Sequence, residues 1–327
     1  MLSSLRILAV TLAAFPFLVM AQAPKTSTVP RTADGHPDLQ GIWTNATITP
    51  MERMGDKATV SDTDARAVEK KALEDLQSND GASDSPLLRA AGSAGTGGYN
   101  MLFIDRGSEL TRVDGVKRTS LVIDPPDGKV PPMTSGGRTR GFASIAGTLT
   151  TFDNVKQRPL SERCLLAFGS SSGPPMLPVL YNNTYQIVQT PDAVMILVEM
   201  VHDARIVRMN AEHPPASVRQ WMGDSTGRWD GDTLGVDTTN FREEVAFRGG
   251  SKDFHVIERF RRVDGNTVLY RATMEDPATW TKPWSIEFSF SSTNGPIYEY
   301  ACHEGNYAMT DILGGARKLE TQSTKQK

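Results

Sequence analysis

The chain has 327 residues, of which 39% are hydrophobic, and its formal net charge is −3 at pH 7. A chain of this length and apolar content can bury a sizeable core, in one large domain or in two smaller ones. It contains no run of five or more basic residues, which argues against binding to nucleic acid or to an anionic membrane surface.

The first 23 residues have the pattern of a secretory signal peptide. Arg6 forms a short basic segment, and residues 7–20 form an apolar segment that is too short to cross a bilayer. We predict cleavage after Ala21. The mature chain has no other stretch of 18 apolar residues, so we expect a periplasmic or secreted protein without a membrane span.

The chain has two cysteines, Cys164 and Cys302. Thiols of exported proteins are commonly oxidised, so a disulfide between them is the leading interpretation, and two separate buried thiols are the alternative. A disulfide would bring "LSERCLLAF" and "YEYACHEGN" together in space.

Residues 24–180 are predicted to form an N-terminal extension that packs on the rest of the chain. A polar arm leads to a strand at "LQGIWTN", and residues 60–80 follow as an amphipathic helix that Ser61 can cap. A hairpin-like segment comes later, with turns at Asp114-Gly115 and Asp127-Gly128.

Residues 181–327 are predicted to form an antiparallel, lipocalin-like β-barrel with a C-terminal tail. Eight candidate strands lie at 185–190, 193–201, 204–209, 232–237, 254–263, 267–274, 283–290 and 297–303. The absence of helix-length periodicity between them excludes parallel crossovers, and closure removes the exposed edges of an open sheet. The predicted fold class is therefore mainly β, and a barrel of eight strands is wide enough for one small ligand.

Several longer strings resemble a family of exported bacterial proteins. Its motifs are "ADGxPDLxGIW" near the N-terminus, here "ADGHPDLQGIW", and "YEYACHEGNY" near the C-terminus. The resemblance implies that residues 31–317 form one evolutionary unit, and it assigns no catalytic residues. "GIW" at 41–43 also resembles the Gly-x-Trp element of the first lipocalin strand.

Motifs for cofactors, metals and nucleophiles are weak. "GSAGTGG" lacks the preceding strand and the Lys-Ser/Thr ending of a phosphate-binding loop, and the five histidines show no metal-ligand spacing. Ser171 lies in a formal G-x-S-x-G match, but Pro174-Pro175 follows where a nucleophile elbow needs a helix. We therefore predict no cofactor and no metal.

General acid-base chemistry needs a histidine or carboxylate in a dry pocket and a cation that holds developing negative charge. Residues of these types occur at the ends of the predicted strands. The candidate catalytic residues are His202, Asp203, Arg205, His303 and Glu304. Structural roles remain open for them, because His202-Asp203 also suits a hairpin turn and His303 also suits a strand end.

A second set of residues could hold a ligand, since aromatic faces stack on sugar or phenolic rings and charged groups fix hydroxyls. The candidate ligand-binding residues are Trp221, Asp224, Arg228, Glu258, Arg259, Tyr270 and Arg271. Glu258 shares a strand face with apolar residues, so it must be paired, protonated or exposed to a cavity. An ion pair between Glu258 and Arg271 on the next strand is the structural alternative, and Trp221 could instead plug one end of the barrel.

Two function classes follow. The first is an exported protein that binds a small amphipathic molecule, an aromatic or sugar derivative, in a barrel cavity. The second is a cofactor-free lyase, isomerase or hydrolase that uses His202 or His303 as base with arginine support.

Overall fold

The computed structural model describes residues 29–78, 104–167, 172–245 and 247–325. The predicted signal peptide, the "GSAGTGG" loop at 92–98 and Ser171 lie outside these residues.

The described residues form a nine-stranded barrel, an N-terminal extension and three α-helices. The barrel strands are β1 (Gly41–Thr44), β6 (Thr184–Gln189), β7 (Ala193–Val198), β8 (Ala204–Met209), β9 (Asp224–Asp230), β10 (Thr233–Thr239), β11 (His255–Arg262), β12 (Thr267–Glu275) and β13 (Trp284–Ser292). The remaining strands are β2 (Thr59–Val60), β3 (Arg112–Val113), β4 (Val116–Arg118) and β5 (Val122–Asp124). The helices are α1 (Asp62–Ser78), α2 (Ser135–Thr150) and α3 (Ala308–Lys325).

Strand β1 closes the barrel. It pairs with β6 on one side and with β13 on the other, so that Trp43 lies opposite both Tyr185 and Ser292. Trp43 is buried, donates from its indole nitrogen to Leu39 O at 2.9 Å, and lies under the Arg262 guanidinium, 5.1 Å from the ring centroid. The predicted lipocalin-like barrel is confirmed, with nine strands where the sequence predicted eight and with an N-terminal strand as part of its wall.

Three features of the predicted barrel were wrong in detail. Residues 297–303 form no strand, and residues 224–230, where no strand was predicted, form β9. Strand β9 is paired with β10 through the two-residue turn Gly231-Asp232, which imposes strand geometry on a segment of low β propensity. Parallel pairing was excluded, yet β8 and β9 run parallel, with Val207 opposite Ser225. The connection over 210–223 makes this crossover without a helix.

The barrel interior is occupied by large side chains that alternate with outward-facing residues along each strand. On β13 the inward set is fully buried and consists of Trp284, Ile286, Phe288 and Phe290. The Tyr270 ring centroid lies 5.1 to 5.4 Å from those of Phe260, Phe288 and Phe290. Burial of side chains of this size stabilises the fold by about 1.5 to 3 kcal/mol each.

The extension covers part of the outer face of the barrel. Strand β5 continues along the same edge of β13 that β1 uses, with Ile286 opposite Val122. Helix α1 begins as predicted, because Ser61 Oγ accepts from Asp64 N at 3.1 Å. It is joined to the small β2-β4-β3 sheet by Glu69, whose carboxylate accepts from Lys117 Nζ at 2.8 Å.

Helices α2 and α3 were not predicted. Helix α2 is rich in glycine, and tertiary contacts hold it in place: a Cβ on Gly137 would come within 2.5 Å of Thr279 O, so only glycine allows this approach. Arg140 of α2 donates to Gly249 O at 3.0 Å. Helix α3 occupies the predicted C-terminal tail. None of the helices in the described ranges is long and apolar enough to cross a membrane.

Candidate functional site

An arginine and a glutamate form an ion pair inside the barrel. The side chains of Arg205 on β8 and Glu258 on β11 are 3% and 0% exposed, and the guanidinium donates to both carboxylate oxygens. Arg205 also donates from Nε to Ser225 Oγ at 2.9 Å and from Nη2 to Thr238 Oγ1 at 3.3 Å. A buried carboxylate requires such partners, so the pair explains why Glu258 is tolerated on an apolar face.

Tyr270 completes this network. Its hydroxyl donates to Glu258 Oε1 at 2.8 Å and accepts from Met176 N at 2.9 Å. Burial, followed by the nearby Glu258 charge, raises the pKa of Tyr270. The alternative pair between Glu258 and Arg271 is wrong, because Glu258 lies opposite Ala272 and Arg271 points outward from an exposed position.

A cleft of about 580 Å³ opens through the barrel wall beside this network. We call it the wall cleft. Its lining residues are Cys164, Leu165, Val201–Ile206, Arg208, Arg219–Ser225 and Arg242. Strand β8 begins three residues before its first pairing with β9, and the cleft lies beside this stretch. The cleft reaches inward to Arg205 and Ser225. Two predicted sets, the catalytic residues around His202 and the ligand-binding residues around Trp221, therefore share one cleft.

The turn between β7 and β8 places His202 and Asp203 at the cleft. Val201 and His202 adopt left-handed φ angles of 68° and 49°, which is costly for a β-branched valine by about 1 to 3 kcal/mol. Val201 is held there by burial, and His202 is held by a hydrogen bond of 3.0 Å from Nδ1 to Tyr300 O. Because a carbonyl only accepts, Nδ1 carries the proton and Nε2 is the basic nitrogen of the neutral ring.

Asp203 is half-buried, and its carboxylate makes no hydrogen bond or ion pair with the part of the chain that the structure describes. Burial raises the pKa of Asp203, and the adjacent His202 lowers it to a smaller extent. A carboxyl group with this environment is characteristic of ligand-binding and catalytic sites.

The opposite side of the cleft carries Trp221 and Asp224. The Arg242 guanidinium lies over the Trp221 ring at 4.3 Å from the centroid, and its Nε atom is buried without a hydrogen-bond partner. Asp224 is almost fully buried and accepts from Arg208 Nη2 at 2.8 Å and from His213 Nδ1 at 2.6 Å. Trp221 is half-buried: it packs against the hydrophobic core and also lines the cleft.

The wall cleft is rich in arginine. Its lining has four arginines and two aspartates. Three of the arginines are paired with carboxylates, Arg205 with Glu258, Arg208 with Asp224 and Arg242 with Glu244. Arg219 instead donates to two backbone carbonyls, Phe241 O at 2.8 Å and Lys252 O at 2.7 Å. No carboxylate neutralises Arg219 within the described residues. A negatively charged group in the cleft would gain a favourable interaction with it.

His303 and Glu304 do not line the wall cleft and are exposed. They follow Cys302, which forms the predicted disulfide with Cys164 across a Cα–Cα distance of 5.8 Å. The segment 297–307 is therefore attached beside the cleft, by the disulfide and by the bond from His202 to Tyr300 O, without being a strand.

Three of the predicted ligand-binding residues, Arg228, Arg259 and Arg271, lie on the outer face of β9, β11 and β12, away from the cleft. Arg259 pairs there with Asp230 at 2.8 Å. Glu258 and Tyr270 lie in the interior. The structure thus brings together five predicted residues at the wall cleft: His202, Asp203, Arg205, Trp221 and Asp224.

Sequence reasoning missed two arginines of the cleft, Arg208 and Arg242. It also missed His213, which bridges Asp224 and Asp237 with distances of 2.6 and 2.9 Å. All three are polar residues at strand ends or in connections, and their convergence depends on the β8–β9 crossover. Among the residues that the structure covers, no group of three or more histidine, cysteine or acidic side chains is arranged to hold a metal ion.

Comparison with models of known families, with curated proteins and with solved structures found no match to this chain.

Proposed function

We propose that the protein is exported and binds a small aromatic molecule that carries a negative charge, and that it does so in the wall cleft. The observation that carries this proposal is the convergence of four arginines and a partly buried tryptophan on one cleft of about 580 Å³. This volume is in the range of small-molecule sites, which combine apolar surface with a few fixed polar groups.

The two sides of the cleft suit the two parts of such a ligand. Trp221 and Met222 offer apolar surface to a ring, and the Arg242 guanidinium stacked on Trp221 is held beside it. Arg219, which has no carboxylate partner among the described residues, supplies charge for the anionic group. Asp203, equally unpaired, would accept a hydrogen bond from a ligand hydroxyl.

Export is supported by the signal-peptide pattern of the first 23 residues and by the Cys164–Cys302 disulfide, because structural disulfides persist in oxidising compartments. The resemblance to a family of exported bacterial proteins agrees with this proposal.

Calorimetric titration with 4-hydroxycinnamate and with its neutral amide tests the ligand class. Hydrogen bonds to a charged group contribute about 1.5 to 3 kcal/mol, so the carboxylate should bind roughly ten- to 100-fold more tightly than the amide. Trp221→Ala should weaken binding at least about tenfold. Trp229→Ala is the matched control, since Trp229 is also half-buried but stacks on His36 outside the cleft. Equal affinity for acid and amide, or equal loss in both variants, would reject the proposal.

A second candidate function is acid-base catalysis in the same cleft. It is favoured by the basic Nε2 of His202, the raised pKa of Asp203 and the left-handed turn that presents both side chains. Phenylpyruvate in D₂O is a suitable probe because its CH₂ group exchanges when a base removes a proton. Catalysed exchange that His202→Gln or Asp203→Asn abolishes, with binding retained, would support an enzyme. If exchange is no faster than in buffer, the acid-base function is rejected and only the binding function remains.

A further inference from the structure

A second cleft, of about 770 Å³, lies between the N-terminal extension and the outer face of the barrel. We call it the extension groove. Its walls are residues 105–117 of the extension and outward-facing residues of β1, β6, β12 and β13. It shares no lining residue with the wall cleft.

Four hydroxyl side chains form a row across the barrel wall of this groove. Thr44 of β1 lies opposite Thr184 of β6 and opposite Ser291 of β13, and Ser291 lies opposite Thr267 of β12. Each of the four follows or precedes a buried residue on its strand and points outward. Adjacent strands are about 4.8 Å apart, so the row spans roughly 14 Å.

Most of these hydroxyls have free hydrogen-bonding capacity. Thr44 Oγ1 accepts from Ala46 N at 3.2 Å, whereas Thr184, Thr267 and Ser291 make no side-chain hydrogen bond within the described parts of the chain. A hydroxyl both donates and accepts, as do the hydroxyls of a sugar. The row therefore offers a repeated set of contacts to a ligand with regularly spaced hydroxyl groups.

The lining of the groove carries a negative charge. Four carboxylates, Asp105, Glu109, Asp114 and Asp264, face Arg112 and Lys117, for a formal net charge of −2. Desolvation of the Asp105 carboxyl, together with the nearby Glu199 charge, raises its pKa. This charge disfavours phosphorylated, sulfated or uronic ligands and favours neutral or amino-bearing ones.

The described lining of the groove contains no aromatic side chain, so an aromatic ligand would find no ring to stack on. We propose that the extension groove binds an unbranched neutral or amino sugar oligomer, with successive residues lying along the hydroxyl row. This site is independent of the wall cleft, and neither proposal requires the other.

Titration calorimetry with three β-1,4-linked or equivalent linear trimers tests the inference: glucosamine, glucose and galacturonic acid. We expect the glucosamine and glucose trimers to bind and the galacturonic acid trimer not to bind. Loss of one neutral hydrogen bond corresponds to roughly a two- to tenfold loss of affinity, so Thr184→Val and Thr267→Val should each produce a loss of that size.

Valine preserves the shape and β propensity of threonine, so these variants should fold, which circular dichroism and thermal unfolding check. Thr233→Val is the matched control, because Thr233 faces outward on β10 outside the groove. The inference is overturned if neither the glucosamine nor the glucose trimer binds, if the galacturonic acid trimer binds as tightly, or if the groove variants bind like the control.

Discussion

Replacement of Glu258 by glutamine separates the charge of the buried ion pair from its shape. Glutamine has nearly the same volume, and its amide oxygen can still accept from Arg205 or Tyr270. The guanidinium of Arg205, however, would keep its positive charge at 3% exposure without a carboxylate. We therefore expect Glu258→Gln to be strongly destabilising.

The magnitude follows from the burial of both partners, which are 3% and 0% exposed. Removing one member of a buried pair costs about 3 to 5 kcal/mol, because the remaining charge stays desolvated. This is a large fraction of a typical unfolding free energy of about 5 to 15 kcal/mol. At about 2 to 4 °C per kcal/mol, the melting temperature should fall by roughly 6 to 20 °C.

Urea denaturation of the disulfide-intact protein, followed by circular dichroism and fluorescence, measures the change. The double variant Arg205→Met/Glu258→Leu removes both charges and should recover a substantial part of the lost stability. Asp230→Asn is the surface control, because Asp230 and Arg259 are 70% and 46% exposed and their pair should contribute little. A loss below about 1 kcal/mol for Glu258→Gln, or a double variant as unstable as the sum of its single variants, would refute this reasoning.

Two further predictions concern pH and the disulfide. Burial raises the pKa of Asp203 above its value in the unfolded chain. At pH values above the unfolded pKa, ionisation of this carboxyl therefore lowers the free energy of unfolding, and this loss of stability vanishes at lower pH. Asp203→Asn should raise the melting temperature at pH 7 and leave it unchanged near pH 3; a variant that is less stable at pH 7 would contradict this sign. Cys164→Ser/Cys302→Ser opens a loop with a sequence separation of 138 residues, which should lower the free energy of unfolding by about 4 to 5 kcal/mol. Limited proteolysis should then cut near Cys302, and unchanged stability and protection would contradict the prediction.

Parts of the fold could be predicted from local patterns. Seven of the eight predicted strands are present because their alternation of apolar and polar residues matches the period of a β-strand, and α1 begins where Ser61 caps it. In contrast, α2 contains four glycines and has a low helix propensity, and it is held by contacts with Thr279 and Gly249, which are distant in sequence.

The sequence indicated two of the segments that line the wall cleft, but not that these segments meet in space. His202, Asp203 and Arg205 stand together in the sequence, and Trp221 and Asp224 stand together in a second segment. Their convergence requires the parallel β8–β9 crossover, which no local pattern indicated. The partner of Glu258 was likewise misassigned to Arg271, because neighbouring strands were the nearest candidates and the true partner lies across the barrel interior.

The sequence alone determined that the chain is mainly β and that its strands alternate apolar and polar faces, and it made a disulfide between Cys164 and Cys302 the leading interpretation. These follow from residue spacing and from the chemistry of two thiols. Only the tertiary structure decided the strand that closes the barrel, the arginine that neutralises Glu258, and the two clefts. Pairing across a barrel depends on contacts between residues far apart in the chain, and these contacts leave no periodic pattern in it.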